Sequence, residues 1–466
     1  MSRRAARDIR AATAGDEAPG WGGTRECGPW LVSTEPSSDV GDRTYVRLID
    51  GLGTPSTEAF TAPARRRSSH HKKVDLMAYS RRVAASSVGI DEIRTLDLFA
   101  GAGGLSTGFH QADPAFTVVG AVEFDVAAAA TFAANHGDVV HVGDITEWVS
   151  SGAVPEVDVV VGGPPCQGFS RLNKNRDQDI RNNLWRQYMK AVRLAQPKYF
   201  VMENVAALFS TPEYEMLLSA FEPGGALEDY MVQSRVLNAA DFGVPQSRKR
   251  AIVIGRRRDL AAPGMPLPRS REDWIPSGTV FARTSEEVVL TSVEDPRTTT
   301  FNGVDLEGAY RTEELHYTRN YAQLSLDRFR SIPPGGNRFD LPDELKAPCW
   351  RRHTKGSGDV MGRLRSERPS VTIRTEFFKP EKGRYLHPTA NRAITHREAA
   401  LLQGFDDDYL WLGTKPQIAR QIGNAVPPPL AAAVARRIME AIVSAPVTAR
   451  SESDTDRPRF LQPTMW

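Results

Sequence analysis

A chain of 466 residues, 40% of them hydrophobic, is long enough for two or three domains and for a core that needs no covalent staples. Three cysteines far apart, Cys27, Cys166 and Cys349, exclude a disulfide framework and a four-cysteine zinc site, and no apolar run approaches the roughly 18 residues of a membrane span. A formal net charge of +2, from 59 Lys+Arg against 57 Asp+Glu, leaves the partners open until the charges are located. The N-terminus lacks the apolar core of a secretory signal, and Asp8, Asp16 and Glu17 interrupt its arginines. The composition reads as a soluble, reduced, intracellular protein.

Residues 1–90 are rich in Arg, Ala, Ser, Gly and Pro, with no sustained period. Between Arg65 and Arg82 they carry seven Lys/Arg against one acid, Asp75. Such a stretch reads as a solvated, partly disordered extension or as an arm that touches phosphates. From Thr95 short β-rich runs alternate with helical stretches, the pattern of an α/β domain with a mostly parallel sheet. Strands are expected at 95–99, 117–123, 139–142, 157–162 and 199–203, each bounded by Gly, Pro, Asn or Asp. Apolar residues at 184, 188, 191, 192 and 195 mark one face of a helix over Leu184–Ala195. Two more paired strands, at 233–237 and 251–255, flank the loop DFGVPQSRKR.

Residues 259–384 are proline-rich, charged and aperiodic, the texture of a substrate-contacting insertion or small second domain. Regular texture returns over 385–446. Thr395 and Glu398 stand at capping-box spacing, and Leu430, Val434, Ile438 and Ile442 form a helical stripe. A loose tail, 447–466, follows.

Four motifs carry chemistry. In DLFAGAGGLSTGF a strand runs into Gly101, Gly103 and Gly104 and then a helix, so the backbone can turn tightly against a ligand. Ser106 breaks the full dinucleotide fingerprint, and the turn alone is a weak sign. Glu123, at the next strand's end, can accept both hydroxyls of a ribose, and Asp144 stands at the third strand's end. Both could equally cap the helices that follow. In GGPPCQGFS, Cys166 sits between a rigid Pro-Pro and Gln-Gly at a strand tip, as a nucleophile is presented, although burial is the default for cysteine. The polar stretch 170–183 suits a closing lid. Glu203, in ENV, is placed to face Cys166 across adjacent strand ends and to act as a general acid. In QSRKR, alternation puts Arg248 and Arg250 on one side of an extended chain, where two guanidinium forks suit a phosphate or a base edge. Singly, Glu203 and the arginines also read as surface ion-pair partners.

In order, DLFAGAGG, PPCQGFS, ENV, QSRKR, REAALLQGF and QIGNAVPPPLA resemble the motifs of the cytosine-5 DNA methyltransferases from Asp97 to about Ile442. The resemblance implies a Rossmann-like methyltransferase domain with a mixed, mostly parallel sheet and a smaller irregular target-recognition domain. Catalytic motifs would fall in 91–258, target recognition in 259–384, and the return to the catalytic domain in 385–446. It implies S-adenosylmethionine as donor, without a metal, in a crevice lined by Phe99, Gly101, Gly103, Gly104, Leu105, Glu123, Asp144 and Pro165. Phe124 and Ile145 would flank the adenine, and Asn424 would complete the pocket. Cys166 would attack carbon 6 of a flipped cytosine, Glu203 would hold the ring nitrogen, and Arg250 the carbonyl. Arg248 would steady phosphate or neighbouring side chains. The implied setting is double-stranded DNA in a bacterial cytoplasm, with the protein a monomer and a cognate restriction endonuclease as genetic partner.

Between 361 and 384, Arg363, Arg365, Arg368, Arg374, Lys379, Lys382 and Arg384 face three acids, a DNA-contacting stretch or a solvated loop. One departure is Asp406, where the family has proline after QGF. The alternatives are an RNA (tRNA) cytosine-5 methyltransferase, against which Gly168-Phe169-Ser170 and the long 259–384 region argue, and an inactive DNA-binding regulator, against which Cys166, Glu203 and Arg250 argue.

Overall fold

The computed structural model describes residues 91–165, 184–352 and 355–444. The extension with its basic cluster at 65–82, Cys166, the stretch 170–183 and the tail lie outside the described residues. Seven strands form the main sheet: β1 (Ile93–Leu98), β2 (Phe116–Glu123), β3 (Val140–Val142), β4 (Val159–Gly162), β5 (Tyr199–Val205), β6 (Tyr230–Asn238) and β7 (Lys249–Arg257). Their order is β3-β2-β1-β4-β5-β7-β6. β1 to β5 run parallel, and β7 is antiparallel to both β5 and β6. The expected Rossmann-like sheet, mixed and mostly parallel, is therefore present.

Strands β1, β4 and β5 are almost wholly buried because helices cover both faces. Side-chain alternation divides them between two cores. Val160 and Phe200 join Trp148 of α3 (Ile145–Ser150), Tyr188 of α4 (Leu184–Ala195) and Leu217 of α5 (Pro212–Ser219). Val159, Val161 and Val201 join Leu105 and Phe109 of α1 (Gly104–Ala112) and the C-terminal stripe. On the β1–β2–β3 flank, α2 (Val126–His136) is capped by the Asp125 carboxylate, which accepts from Ala127 and Ala128 N–H.

The aperiodic region is less separate than its sequence suggests. After α6 (Gly278–Phe281), β8 (Thr298–Phe301) and β9 (Val304–Arg311) form a hairpin that pairs with β10 (Leu410–Leu412). Tyr310, Tyr317, Leu364, Ile373 and Tyr385 share a core with Leu402, Trp411 and Ile422. A small core of their own is left to residues around 321–361, where Phe329, Ile332, Leu341 and Met361 pack with Leu386. That core carries α7 (Gln323–Ser331) and α8 (Pro348–Arg352). The boundaries 259 and 384 therefore enclose segments that pack with the C-terminal return as well as a small lobe around 321–361.

The return segment supplies α9 (His396–Gln403), α10 (Lys415–Asn424) and α11 (Pro428–Val443). α9 starts at the expected capping box: Thr395 Oγ1 accepts from Glu398 N–H at 3.1 Å, and the Glu398 carboxylate accepts from Thr395 N–H at 2.7 Å. Leu430, Val434 and Ile438 of α11 are fully buried, each worth roughly 2 kcal/mol of apolar transfer. Gly108 lets α11 lie directly on α1, because a side chain there would strike Pro428 O and the Ala431 methyl. Asp406 stands opposite Gln111 of α1, whose amide donates to it at 3.4 Å.

Candidate active site

Strand order reverses between β1 and β4, the position where an open α/β sheet leaves a crevice beyond its strand ends. Leu98 pairs with Gly162, and Gly162 with Met202. The glycine turn, the Pro-Pro turn and Glu203 thus emerge side by side from β1, β4 and β5.

Phe99, Gly101 and Gly103 all adopt positive φ, at 57°, 56° and 89°. For Phe99 that is a strained conformation, and such strain collects at functional turns. A side chain at Gly101 would meet nothing within 4 Å, so the turn borders open space. At Gly103 it would strike His136, a half-buried imidazole whose pKa is lowered to about 4 by desolvation. The Tyr409 hydroxyl donates to Ala102 O from the return segment and fixes the turn from below.

Glu123 Oε2 accepts from Gly101 N–H and Oε1 from Asp125 N–H, both at 2.8 Å. Burial raises its pKa against the pull of these two amides. Each oxygen keeps a second lone pair for a ligand hydroxyl. Phe124 is 75% exposed beside it. Asp144 is exposed and caps α3 by accepting from Thr146 N–H at 2.6 Å. Asn424 is exposed at the end of α10, and Pro165 is partly buried. The Leu105 and Ile145 side chains pack into the two cores, and Gly104 packs on the Val426 carbonyl.

At the β5 tip, Glu203 Oε1 meets Arg250 Nε at 2.7 Å, with side chains only 11% and 13% exposed. Glu203 Oε2 lies 3.0 Å from where a Gly163 side chain would begin, three residues before Cys166. The buried Asn204 donates to Pro164 O at 3.0 Å and tethers the Pro-Pro turn to β5. Its role escaped sequence reasoning, although it sits within ENV.

Arg248 requires a correction. It does not share a direction with Arg250 toward a phosphate. It is 1% exposed and donates to Ile373 O at 2.9 Å and Gly423 O at 2.8 Å. Arg248 lies just before β7, where extended-strand alternation no longer dictates its direction. It is a positioning residue that ties β7 to the return segment.

Asp97 begins the glycine motif yet is fully buried. Oδ2 accepts from the Ser106 hydroxyl at 2.6 Å, and Oδ1 has no partner among the described residues. Burial pushes its pKa up to about 7, only partly offset by Ser106. An unfolded aspartate titrates near 4. Between about 4 and about 7 the native chain therefore holds a proton the unfolded chain has lost, and the contribution to stability, full below about 4, is lost as pH rises to about 7. Asp97→Asn is expected to flatten this part of the stability–pH curve in urea titrations. Parallel curves for the two proteins would clear Asp97 of that role.

The basic stretch 361–384 also divides. Arg363 is 3% exposed, and its guanidinium donates to the carbonyls of Phe329, Ile332, His387 and Ala390 and to the Asn391 side chain. Arg384 donates to Gly335, Gly336, Gly358 and Arg363 carbonyls. Lys379 and Lys382 pair with Glu376, and Arg374 donates to the Tyr385 hydroxyl. Arg363 and Arg384 are scaffold, which overturns their expected place on the DNA-facing surface.

Comparison with known proteins agrees with this geometry. The profile of the C-5 cytosine-specific DNA methylases matches residues 93–440. The chain is 36% identical to the Type II methyltransferase M1.HphI of Haemophilus parahaemolyticus, over 74% of this chain and 86% of that protein. It is 35% identical to the Type II methyltransferase M.XorII of Xanthomonas oryzae pv. oryzae, over 75% and 85%. A solved E. coli structure, described as a DNA modification methyltransferase encoded within a prophage, superposes with a TM-score of 0.57 at 25% identity, over 75% of this chain and 99% of that one. The glycine turn, the Pro-Pro turn and the Glu203–Arg250 pair at one sheet edge are thus those of a member of the C-5 cytosine-specific DNA methylase family.

Proposed function

We propose that the protein uses S-adenosylmethionine to methylate carbon 5 of a cytosine flipped out of a specific duplex DNA sequence. It would serve as the modification enzyme of a restriction–modification system in a bacterial cytoplasm. The observation that carries this reading is the Glu203–Arg250 pair at the β5 tip, against the turn that leads to Cys166.

The crevice fits the cofactor: Glu123 keeps lone pairs for ribose hydroxyls, Phe124 offers an exposed ring, and the Gly101 turn borders open space. Asp144, Pro165 and Asn424 would complete its enclosure. When bound, S-adenosylmethionine supplies an electrophilic methyl group. Carbon 5 of cytosine is a poor nucleophile within its aromatic ring. Attack by the Cys166 thiolate on carbon 6 breaks that aromaticity and makes carbon 5 enamine-like. Glu203 holds a proton at ring nitrogen 3, and Arg250 stabilises charge developing on the adjacent carbonyl oxygen. After transfer, loss of the carbon 5 proton lets the ring re-form and expels the thiolate. The target atom is inaccessible in a stacked duplex, so the base must leave the helix.

Labelled methyl transfer to duplex DNA, with bisulfite sequencing of the product, tests the reading and gives the sequence context. Protection from bisulfite conversion, confined to one cytosine of a short sequence, is expected. Transfer to tRNA with none to DNA would replace it with the RNA reading.

A further inference from the structure

A cavity of about 250 Å³ opens beside the small lobe, lined by Gly335, Arg365, Arg368, Pro369 and Arg384 among others. We propose that it seats a backbone phosphate of the bound duplex, clamped by Arg365 and Arg368. The proposal rests on the reading above that duplex DNA is the substrate.

The two arginines differ from their neighbours in what they hold. Arg363 and Arg384 spend their donors on backbone carbonyls. Arg365 and Arg368 are 48% and 63% exposed, and their nearest acid is Glu367, itself 61% exposed, at 3.9 Å and 3.7 Å. Exposed pairs at such distances contribute little, so a phosphodiester can displace Glu367 at small cost. Asp359, 3.9 Å from Arg384 Nε, offsets part of the charge on the cavity wall. Both arginines line the cavity, and a guanidinium fork matches two phosphate oxygens.

The platform is pre-organised. The buried Ser277 donates through Oγ to Arg365 O and through N–H to Arg368 O, and Gly278 N–H donates to Ser366 O, all at 2.9 Å. On the far side, Ser247 N–H donates to Ser370 O at 2.8 Å, and Ser370 N–H to Pro245 O at 3.0 Å. Residues 365–370 are thereby fixed to the chain that, three residues beyond Ser247, carries Arg250. The cavity is tied in this way, through Ser370 and Ser247, to the segment that leads into β7 and Arg250. Phosphate contacts set the register of the duplex without reading its sequence.

The test compares the full-length protein with the R365Q/R368Q double variant, measuring affinity for duplex oligonucleotides from 50 to 300 mM salt. Losing two phosphate contacts lowers the slope of log K against log salt by about 2 and weakens binding similarly for target and non-target sequences. Melting temperature and cofactor affinity are expected to stay at wild-type values, showing that the fold is intact. A wild-type slope in the double variant overturns the proposal. So does loss of inorganic phosphate binding alone with the DNA slope unchanged, which would make this a site for free phosphate. Failure of the wild-type chain to methylate DNA would instead remove the reading beneath the proposal, and that assay is independent of the slope.

Discussion

Cys166→Ser is expected to lower methyl transfer at least about 10³-fold, equivalent to about 4 kcal/mol of barrier, with cofactor and DNA binding within severalfold of wild type. The reason lies in the nucleophile. A thiol ionises far more readily than a serine hydroxyl, and the thiolate is the stronger nucleophile toward carbon 6. Single-turnover transfer of a labelled methyl group measures the loss. A second readout is the denaturation-stable protein–DNA adduct, present during wild-type turnover and absent from the variant. Wild-type rates in the serine protein would remove Cys166 from the mechanism and leave Glu203 and Arg250 as base-holding groups only.

Arg248→Met should cost about 3 kcal/mol of stability, or roughly 4 °C in melting temperature for a domain of this size. The methionine fills a similar volume but leaves the Ile373 and Gly423 carbonyls without the donor they now share. Gly423 precedes Asn424, so loosening this clamp should weaken cofactor binding about tenfold, more than it weakens DNA binding. Calorimetric titration with S-adenosylmethionine provides the check, and Arg248→Lys should fall between the two proteins because a single ammonium cannot span both carbonyls. An unchanged melting temperature together with unchanged cofactor affinity would show the clamp to be dispensable.

Much of the fold was legible because its signals are local. Buried parallel strands read as short apolar runs closed by glycine or proline. The helix Leu184–Ala195 has the bounds its apolar spacing gives, and Thr395 with Glu398 mark a helix start by chemistry alone. Strand-tip positions for Gly101, Glu123 and Glu203 follow from the same signals. What remained hidden depends on distant partners. Nothing around Arg363 in sequence distinguishes it from Arg365, yet one is enclosed by carbonyls from residues 329 to 390 and the other stands in solvent. The pairing of β9 with β10 joins residues about a hundred positions apart, and no local pattern announces it. The direction of a side chain at the start of a helix is set by what packs on that helix: Leu105 and Ile145 turn into the two cores.

The seating of α11 on α1 also sets a timetable. Gly104 rests on the Val426 carbonyl and Gly108 on Pro428, so the first glycine-turn helix meets α11 only after some 320 further residues have been made. At translation speeds of roughly 5–20 residues per second, that interval is about 16–64 s. During it the ribosome-bound chain leaves open the face of α1 that α11 covers and has neither Asn424 nor the Gly423 carbonyl that Arg248 grips. The enzyme therefore becomes competent in one late step rather than by degrees, and chaperone occupancy of the nascent chain should fall when α11 emerges.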